Sequence, residues 1–146
     1  MKIEIKTFNE LSNQELYKTL SLRNEVFIVE QNCVYQDLDG YDDKAIHVML
    51  FEKDDLVAYA RIFDKSIKYK TASIGRVVVS PEKRNLNLGH VLVNAAIQAI
   101  HENFETEEIT ISAQEHLQKF YAAHGFVTTS EMYLEDDIPH VQMEIK

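Results

Sequence analysis

Polar and apolar positions alternate at the start of the chain. Ile3 and Ile5 stand between Lys2, Glu4 and Lys6, so residues 2–7 read as a strand. The period then lengthens. Leu16, Leu20 and Phe27 recur near helical spacing, and Ser12-Asn13-Gln14-Glu15 ahead of them has the form of a capping box. Together they predict a helix from about 13 to 29. Residues 31–44, with Asp37, Asp39, Gly40, Asp42 and Asp43, read as a loop. Apolar runs at Ile46–Phe51 and Leu56–Phe63 flank Glu52-Lys53-Asp54-Asp55, a hairpin pattern. Beyond a polar tip at Lys65–Lys70, a further strand runs from Ala72 to Val79 and stops at Ser80-Pro81.

The second half repeats this change of period. A loop from Glu82 opens a helix at Gly89, with Val91, Leu92, Ala95, Ala96, Ala99 and Ile100 on one broad face. Glu108–Ser112 is a short strand. Ser112-Ala113-Gln114-Glu115 reads as a second capping box, followed by Leu117, Phe120, Tyr121 and His124 at helical spacing and by Gly125 as a helix stop. Phe126–Thr129 and His140–Ile145 are the last strands, joined by an acidic segment, Glu131–Asp137. The order β α β β β α β α β β predicts a mixed α/β sheet of the α+β kind with hairpins at both ends. It disfavours a doubly wound fold, which needs regular βα alternation.

Composition narrows the function classes. The 146 residues form one expected domain, 1–146, large enough to fold without disulfides or metals. Asp plus Glu number 24 against 15 Lys plus Arg, a formal charge of -9, which argues against nucleic-acid binding because phosphates need a basic face. Cys33 is the single cysteine, so no internal disulfide exists and no thiolate zinc site is expected; a reducing, cytoplasmic setting fits. The start of the sequence lacks a secretory apolar region. The longest run without Asp, Glu, Lys or Arg, Asn85–His101, falls short of the ~20 apolar residues of a membrane span. No membrane partner is expected.

The most informative stretch for chemistry is Val79-Ser80-Pro81, then Lys83 and Arg84, then a helix opening at Gly89. Unpaired N–H groups at a helix N-terminus carry positive partial charge and suit a diphosphate. Gly89 leaves room for close approach to the backbone. By itself the stretch reads equally as an ordinary loop with a glycine and two solvated charges.

Downstream, Phe120-Tyr121 and Gly125-Phe126 complete a pattern. With Val79-Ser80-Pro81 and Arg84-Asn85-Leu86-Asn87-Leu88-Gly89, the chain resembles the GCN5-related N-acetyltransferase (GNAT) superfamily over essentially its whole length. Val29–Cys33, Tyr35–Gly40, Leu56–Arg61, Ile74–Val77, Ala113–Gln118 and Ile138–His140 resemble its ElaA-like members. One departure stands out: Asn87 occupies the place of the first loop glycine, though Asn accepts the left-handed conformation better than most residues.

The resemblance implies a mostly antiparallel sheet of about six or seven strands, helices on both faces and two splayed central strands. It implies acetyl-CoA as cofactor and direct transfer of its acetyl group to a primary amine in a ternary complex. Arg84, Asn85, Leu86, Asn87, Leu88, Gly89 and His90 would hold the diphosphate. Val77, Val78 and Val79 would pair with the pantetheine arm as an added strand does, and one of their N–H groups would polarise the thioester carbonyl. Gln114 falls in the segment beside that arm. Tyr121 matches the group that protonates the leaving thiolate, being protonated at neutral pH; packing in the helix stripe is its alternative. An acceptor ammonium must lose a proton before it attacks. His140 is the first candidate base, histidine being the side chain suited to proton transfer at neutral pH, and Glu30 the second; a hydrogen-bonded structural histidine and a solvated or salt-bridged carboxylate are the alternatives.

Other residues carry plainer readings. His47 is read as a structural or pocket histidine, His116 as a surface residue and Cys33 as a free thiol rather than a nucleophile. Asp37, Asp39, Asp42 and Asp43 with Glu135, Asp136 and Asp137 would flank the acceptor side and draw a cationic small-molecule or peptide amine; a solvated acidic surface is the alternative. Two further functions compete with catalysis: a non-catalytic acyl-CoA-binding regulatory module, and an α/β domain with chance motifs. A monomer or a homodimer is expected.

Overall fold

The computed structural model describes residues 1–84 and 87–146. Eight strands form one sheet: β1 Lys2–Thr7, β2 Ile46–Glu52, β3 Asp55–Phe63, β4 Ala72–Val79, β5 Ile109–Gln114, β6 Val127–Thr128, β7 Tyr133–Glu135 and β8 Ile138–Ile145. The order is β1-β2-β3-β4-β5-β8-β6, with β7 also on β8, and every pairing is antiparallel except β4–β5. Helices α1 (Asn13–Arg23), α2 (Leu88–Phe104) and α3 (Gln118–Ala122) complete the fold. The strand that the sequence pattern misses is β7. It lies inside the acidic segment and turns into β8 through Asp136 and Asp137, both at positive φ. A three-residue strand that is largely exposed carries no apolar alternation to read.

Strand β3 is the spine. From Leu56 to Phe63 it is buried throughout, because the sheet is covered on both faces. On one face Leu22 and Val26 pack on Met49, Phe51, Tyr59 and Val78. On the other, Leu92, Val93, Ala96, Ala99 and Ile100 of α2 pack on Val48, Leu50, Ala58, Ala60 and Ile62. The apolar sector of α2 is wider than the face it buries: Val91, expected inward, is exposed, and Val93 is buried instead.

Three local differences shape the site. The Ser12 capping box forms, with Ser12 Oγ accepting from Glu15 N–H at 3.0 Å and Glu15 accepting from Ser12 N–H at 2.8 Å. The helix it starts changes at Arg23, however, and continues over Asn24–Glu30 as wider π turns that bring Phe27 and Gln31 to the cavity described below. The second capping box does not form. Ser112 stays in β5, paired with Gln142, and a short 3-10 turn, Glu115–Leu117, precedes α3. Pairing with β8 holds β5 extended through Gln114, and this overrides the local capping preference. Finally, β4 carries a bulge. Tyr59 and Arg61 of β3 oppose Val78 and Gly75 of β4, so β4 holds one extra residue there, and Arg76 sits at φ 50°.

Candidate active site

Parallel pairing of β4 with β5 covers only Ala72 with Ile109 and Ser73 with Thr110; beyond these the strands part. Ser80 N–H donates to Val57 O at 2.8 Å, and Val78 faces Tyr59. Strand alternation therefore turns the N–H groups of Val77 and Val79 away from β3 and into the opening. An unpaired inner edge of this kind is a template for an extended ligand. Val78 differs from its neighbours, since its side chain is buried on the α1 face.

After β4 the next long helix in the chain is α2. Asn87 takes the left-handed conformation, φ 61° and ψ 20°, and no side chain among the described residues caps the helix. The N–H groups of Leu88, Gly89 and His90 thus begin the helix without a side-chain partner, the arrangement an anion needs. Asn85 and Leu86 lie outside the described residues. Leu88 buries its side chain in the core, so only its backbone faces the loop. The glycine at 89 has a second reason: a Cβ there would stand 3.2 Å from the Phe120 ring. His90 turns its ring onto Phe120 and places Nδ1 2.8 Å from His124 Nε2; His124 Nδ1–H donates to Asn94 Oδ1 at 3.2 Å. Burial and the neighbouring His90 push the His124 pKa down.

A cavity of about 210 Å³ opens between the parted strands, and Val77, Gln114, Tyr121 and His140 all line it. Tyr121 is 7% exposed and held edge-to-face by Phe120 and Phe126. Its hydroxyl makes no hydrogen bond among the described residues, and burial pushes its pKa above the ordinary phenol value. His140 pairs with Gln114 on one side and Tyr133 on the other. Its Nδ1 is 2.7 Å from Ile138 O, so Nδ1–H donates to that carbonyl and the neutral ring keeps its lone pair on Nε2. Glu135 Oε2 lies 3.4 Å from Nε2 and would balance the charge of a protonated ring. The same carboxylate accepts from Ser112 Oγ at 3.2 Å, and Ser112 Oγ meets Tyr133 OH at 2.5 Å.

Glu30 and Arg84 are brought to each other rather than to the cavity. Arg84 Nη1 donates to Glu30 Oε2 at 2.8 Å, and Arg84 Nε donates to Val79 O at 3.4 Å. The hydrogen bond from Arg84 holds the Glu30 carboxyl below its usual pKa. Glu30 is thus a paired carboxylate outside the cavity, and the partner the sequence could not name for it is Arg84. His47 is fully buried, placed between Tyr59 OH at 2.6 Å and Asp42 O at 2.9 Å, a structural role. His116 is exposed, and Cys33 donates to Asp136 O at 3.4 Å across the cavity rim.

The acidic loop after α1 requires a correction. Asp37, Asp39 and Asp42 are not a negative mouth, because three arginines hold them. Arg23 binds Asp37 and Asp42 at 2.9 and 2.7 Å. Arg61 binds Asp42 at 2.9 Å and also Asp39. Arg76 Nε lies 2.7 Å from Asp37 Oδ1, and its Nη2–H donates to Asp37 O at 3.0 Å. Only Glu135 and Asp136, from the second acidic segment, line the cavity. The sequence held a signal for the arginines: a charged residue inside an apolar strand run, as at Arg61, must find a carboxylate when buried.

These pairs make stability acid-sensitive. Burial would raise the Asp39 and Asp42 pKa values, but the hydrogen bonds and charges of Arg61 and Arg23 outweigh it and hold both below the ordinary range. A carboxyl depressed in the folded state contributes stability above its unfolded pKa of ~3.9 and loses it as pH falls further. Urea midpoints should therefore fall steeply below about pH 4; equal midpoints at pH 6 and pH 3 would contradict these pairings.

A mixed sheet split beside a helix end, with a buried phenol and an imidazole at the split, defines a class. Residues 6–146 match the family model described as acetyltransferase (GNAT) domain, and the chain belongs to that family. It is a homologue of protein ElaA of Escherichia coli K12, with 41% identity over 137 residues, 92% of this chain and 90% of that protein. The crystal structure of E. coli ElaA covers the whole of both chains at a TM-score of 0.93 and 39% identity. An acyl-CoA N-acyltransferase from Pseudomonas aeruginosa does so at 0.94 and 41%. Among the described residues, no helix is long and apolar enough to cross a membrane.

Proposed function

We propose that this chain is an acetyl-CoA-dependent N-acetyltransferase that acts on a primary amine by direct transfer. The observation that carries the reading is the meeting of Tyr121, His140 and the open edge of β4 in one cavity. The site fits the cofactor. Val77 and Val79 offer backbone hydrogen bonds to an extended arm, and the start of α2 offers N–H groups to a diphosphate. Acetyl-CoA supplies the acetyl thioester. Everything else falls to the chain.

His140 Nε2 accepts the proton that an ammonium must lose, since its Nδ1–H is already committed to Ile138 O. Glu135 steadies the ring once it is charged. The β4 N–H groups polarise the carbonyl under attack. Tyr121 donates its hydroxyl hydrogen to the departing sulfur, a role that its protonated hydroxyl at the cavity permits. Its edge-to-face packing accounts for the ring; nothing in the packing accounts for the hydroxyl.

The test is coenzyme A binding followed by thiol release. A ligand at one hundred times its Kd adds about 2.7 kcal/mol, so coenzyme A should raise the melting temperature by several degrees. Thiol should then appear from acetyl-CoA only when an amine is added. A thermal shift without amine-dependent thiol would favour the non-catalytic acyl-CoA-binding module; no shift at all would remove both readings.

A further inference from the structure

The cavity carries charge of both signs. Arg61, Lys68 and Arg76 line it together with Glu135 and Asp136, and Glu135 lies 3.4 Å from His140 Nε2. The cations are not matched one to one by the aspartates that hold them. Arg23, Arg61, Lys68 and Arg76 are four cations sharing three carboxylates, Asp37, Asp39 and Asp42. Arg61 is 2% exposed, yet its Nε is buried with no hydrogen-bond partner. Arg76 Nε is buried and faces Asp37 at 2.7 Å without alignment for a hydrogen bond. Lys68 Nζ reaches Asp39 only at 3.3 Å, and lies 3.9 Å from the centroid of the Tyr41 ring.

Such a cluster is costly unless something answers it, because a buried guanidinium nitrogen without an acceptor pays its desolvation in full. The backbone adds to the cost. Arg76 holds φ 50°, a conformation a long side chain rarely adopts, and the bulge there turns its side chain toward the cavity. In the same cavity Glu135 and Asp136 suit an ammonium, and His140, 3.4 Å from Glu135, stands ready to take its proton.

We propose that the acceptor is a free amino acid, its carboxylate bound by Arg76 and Lys68 and its ammonium drawn to Glu135 and Asp136 before His140 deprotonates it. This rests on the acetyltransferase reading above. The arginines then have two duties: their Asp partners hold them in place, and the Arg76 and Lys68 cations that line the cavity meet the substrate carboxylate. His140 takes one proton from the ammonium and passes it to solvent. The neutral amine attacks the acetyl carbon, and the carbon–sulfur bond breaks with its electron pair going to sulfur. Tyr121 gives that sulfur its proton so that it leaves as coenzyme A thiol, and the second amine proton, lost as the amide forms, restores the Tyr121 hydroxyl. An N-acetyl amino acid and coenzyme A are the products, so atoms and charges balance.

The test compares leucine, phenylalanine and lysine, each with its amide and with its decarboxylated amine, at equal concentrations of free base and with thiol release as readout. At least one amino acid should exceed both carboxylate-free counterparts by tenfold or more in kcat/KM, as expected for a lost charged hydrogen bond. In K68Q that preference should shrink about tenfold through KM, while the thermal shift by coenzyme A is retained. Lys68 sits on a partly exposed tip, so this variant folds even where R76Q does not; R76K should keep part of the preference. Amides or simple amines turned over as fast as the amino acids would overturn this inference and leave the acetyltransferase standing. No thiol release with any of the nine compounds would overturn both.

Discussion

Tyr121→Phe should lower kcat about a hundredfold or more, with KM for acetyl-CoA and the thermal shift by coenzyme A nearly unchanged. The ring of Tyr121 is wedged edge-to-face against Phe120, at 5.0 Å between centroids, and Phe126, at 5.9 Å. Phenylalanine keeps that ring in the same place. The hydroxyl gives up no hydrogen bond to the described residues, so the substitution costs the fold little. On the proposed mechanism it removes the donor to the departing sulfur, an interaction made as charge develops there. Steady-state thiol release by wild type and variant decides it. A kcat within twofold of wild type would reduce Tyr121 to a packing residue and leave protonation to solvent.

Arg23→Met should cost about 3–5 kcal/mol of stability, the range for removing one partner of a buried ion pair. For a domain of this length that corresponds to a melting temperature lower by roughly 10 °C. Arg23 is completely buried and answers both Asp37 and Asp42. Methionine fills the volume but leaves two carboxylates facing an apolar side chain. The same loop carries Tyr35 and the partners of Arg76, so the cavity wall should loosen with it. Calorimetry gives the stability, and a loss below 1 kcal/mol would show the pairs to be solvent-exchanged rather than buried. The double variant R23M/D42N should recover part of the loss, because it removes one orphaned charge.

The strands β1 to β4 and the helix α2 were legible because their apolar spacing is regular and their ends carry turn or capping chemistry. Asn87 was legible as a left-handed residue for the same local reason. Elements decided by partners were not. Ser112 has a capping sequence but remains in a strand, because β8 claims its backbone. Val91 lies within the apolar sector of α2 but faces outward, since the sheet covers only part of that sector.

The site divides the same way. Tyr121, His140 and Val77 could be named from motif positions, and the fold gathers them around one cavity. Glu30 could be read from sequence either as a second base or as a paired carboxylate, and its pairing with Arg84, 54 residues away, decides for the latter. The aspartates after α1 read as free negative charge, yet Arg61 and Arg76, from β3 and β4, neutralise them. Sequence alone settled what local forces decide: where the chain is extended, where it coils, and which side chains have useful chemistry. Which carboxylate meets which guanidinium depends on strands brought together from far apart in the chain. Coulomb attraction and burial act through space, so only the folded structure could show that the charge at this cavity is mixed rather than acidic.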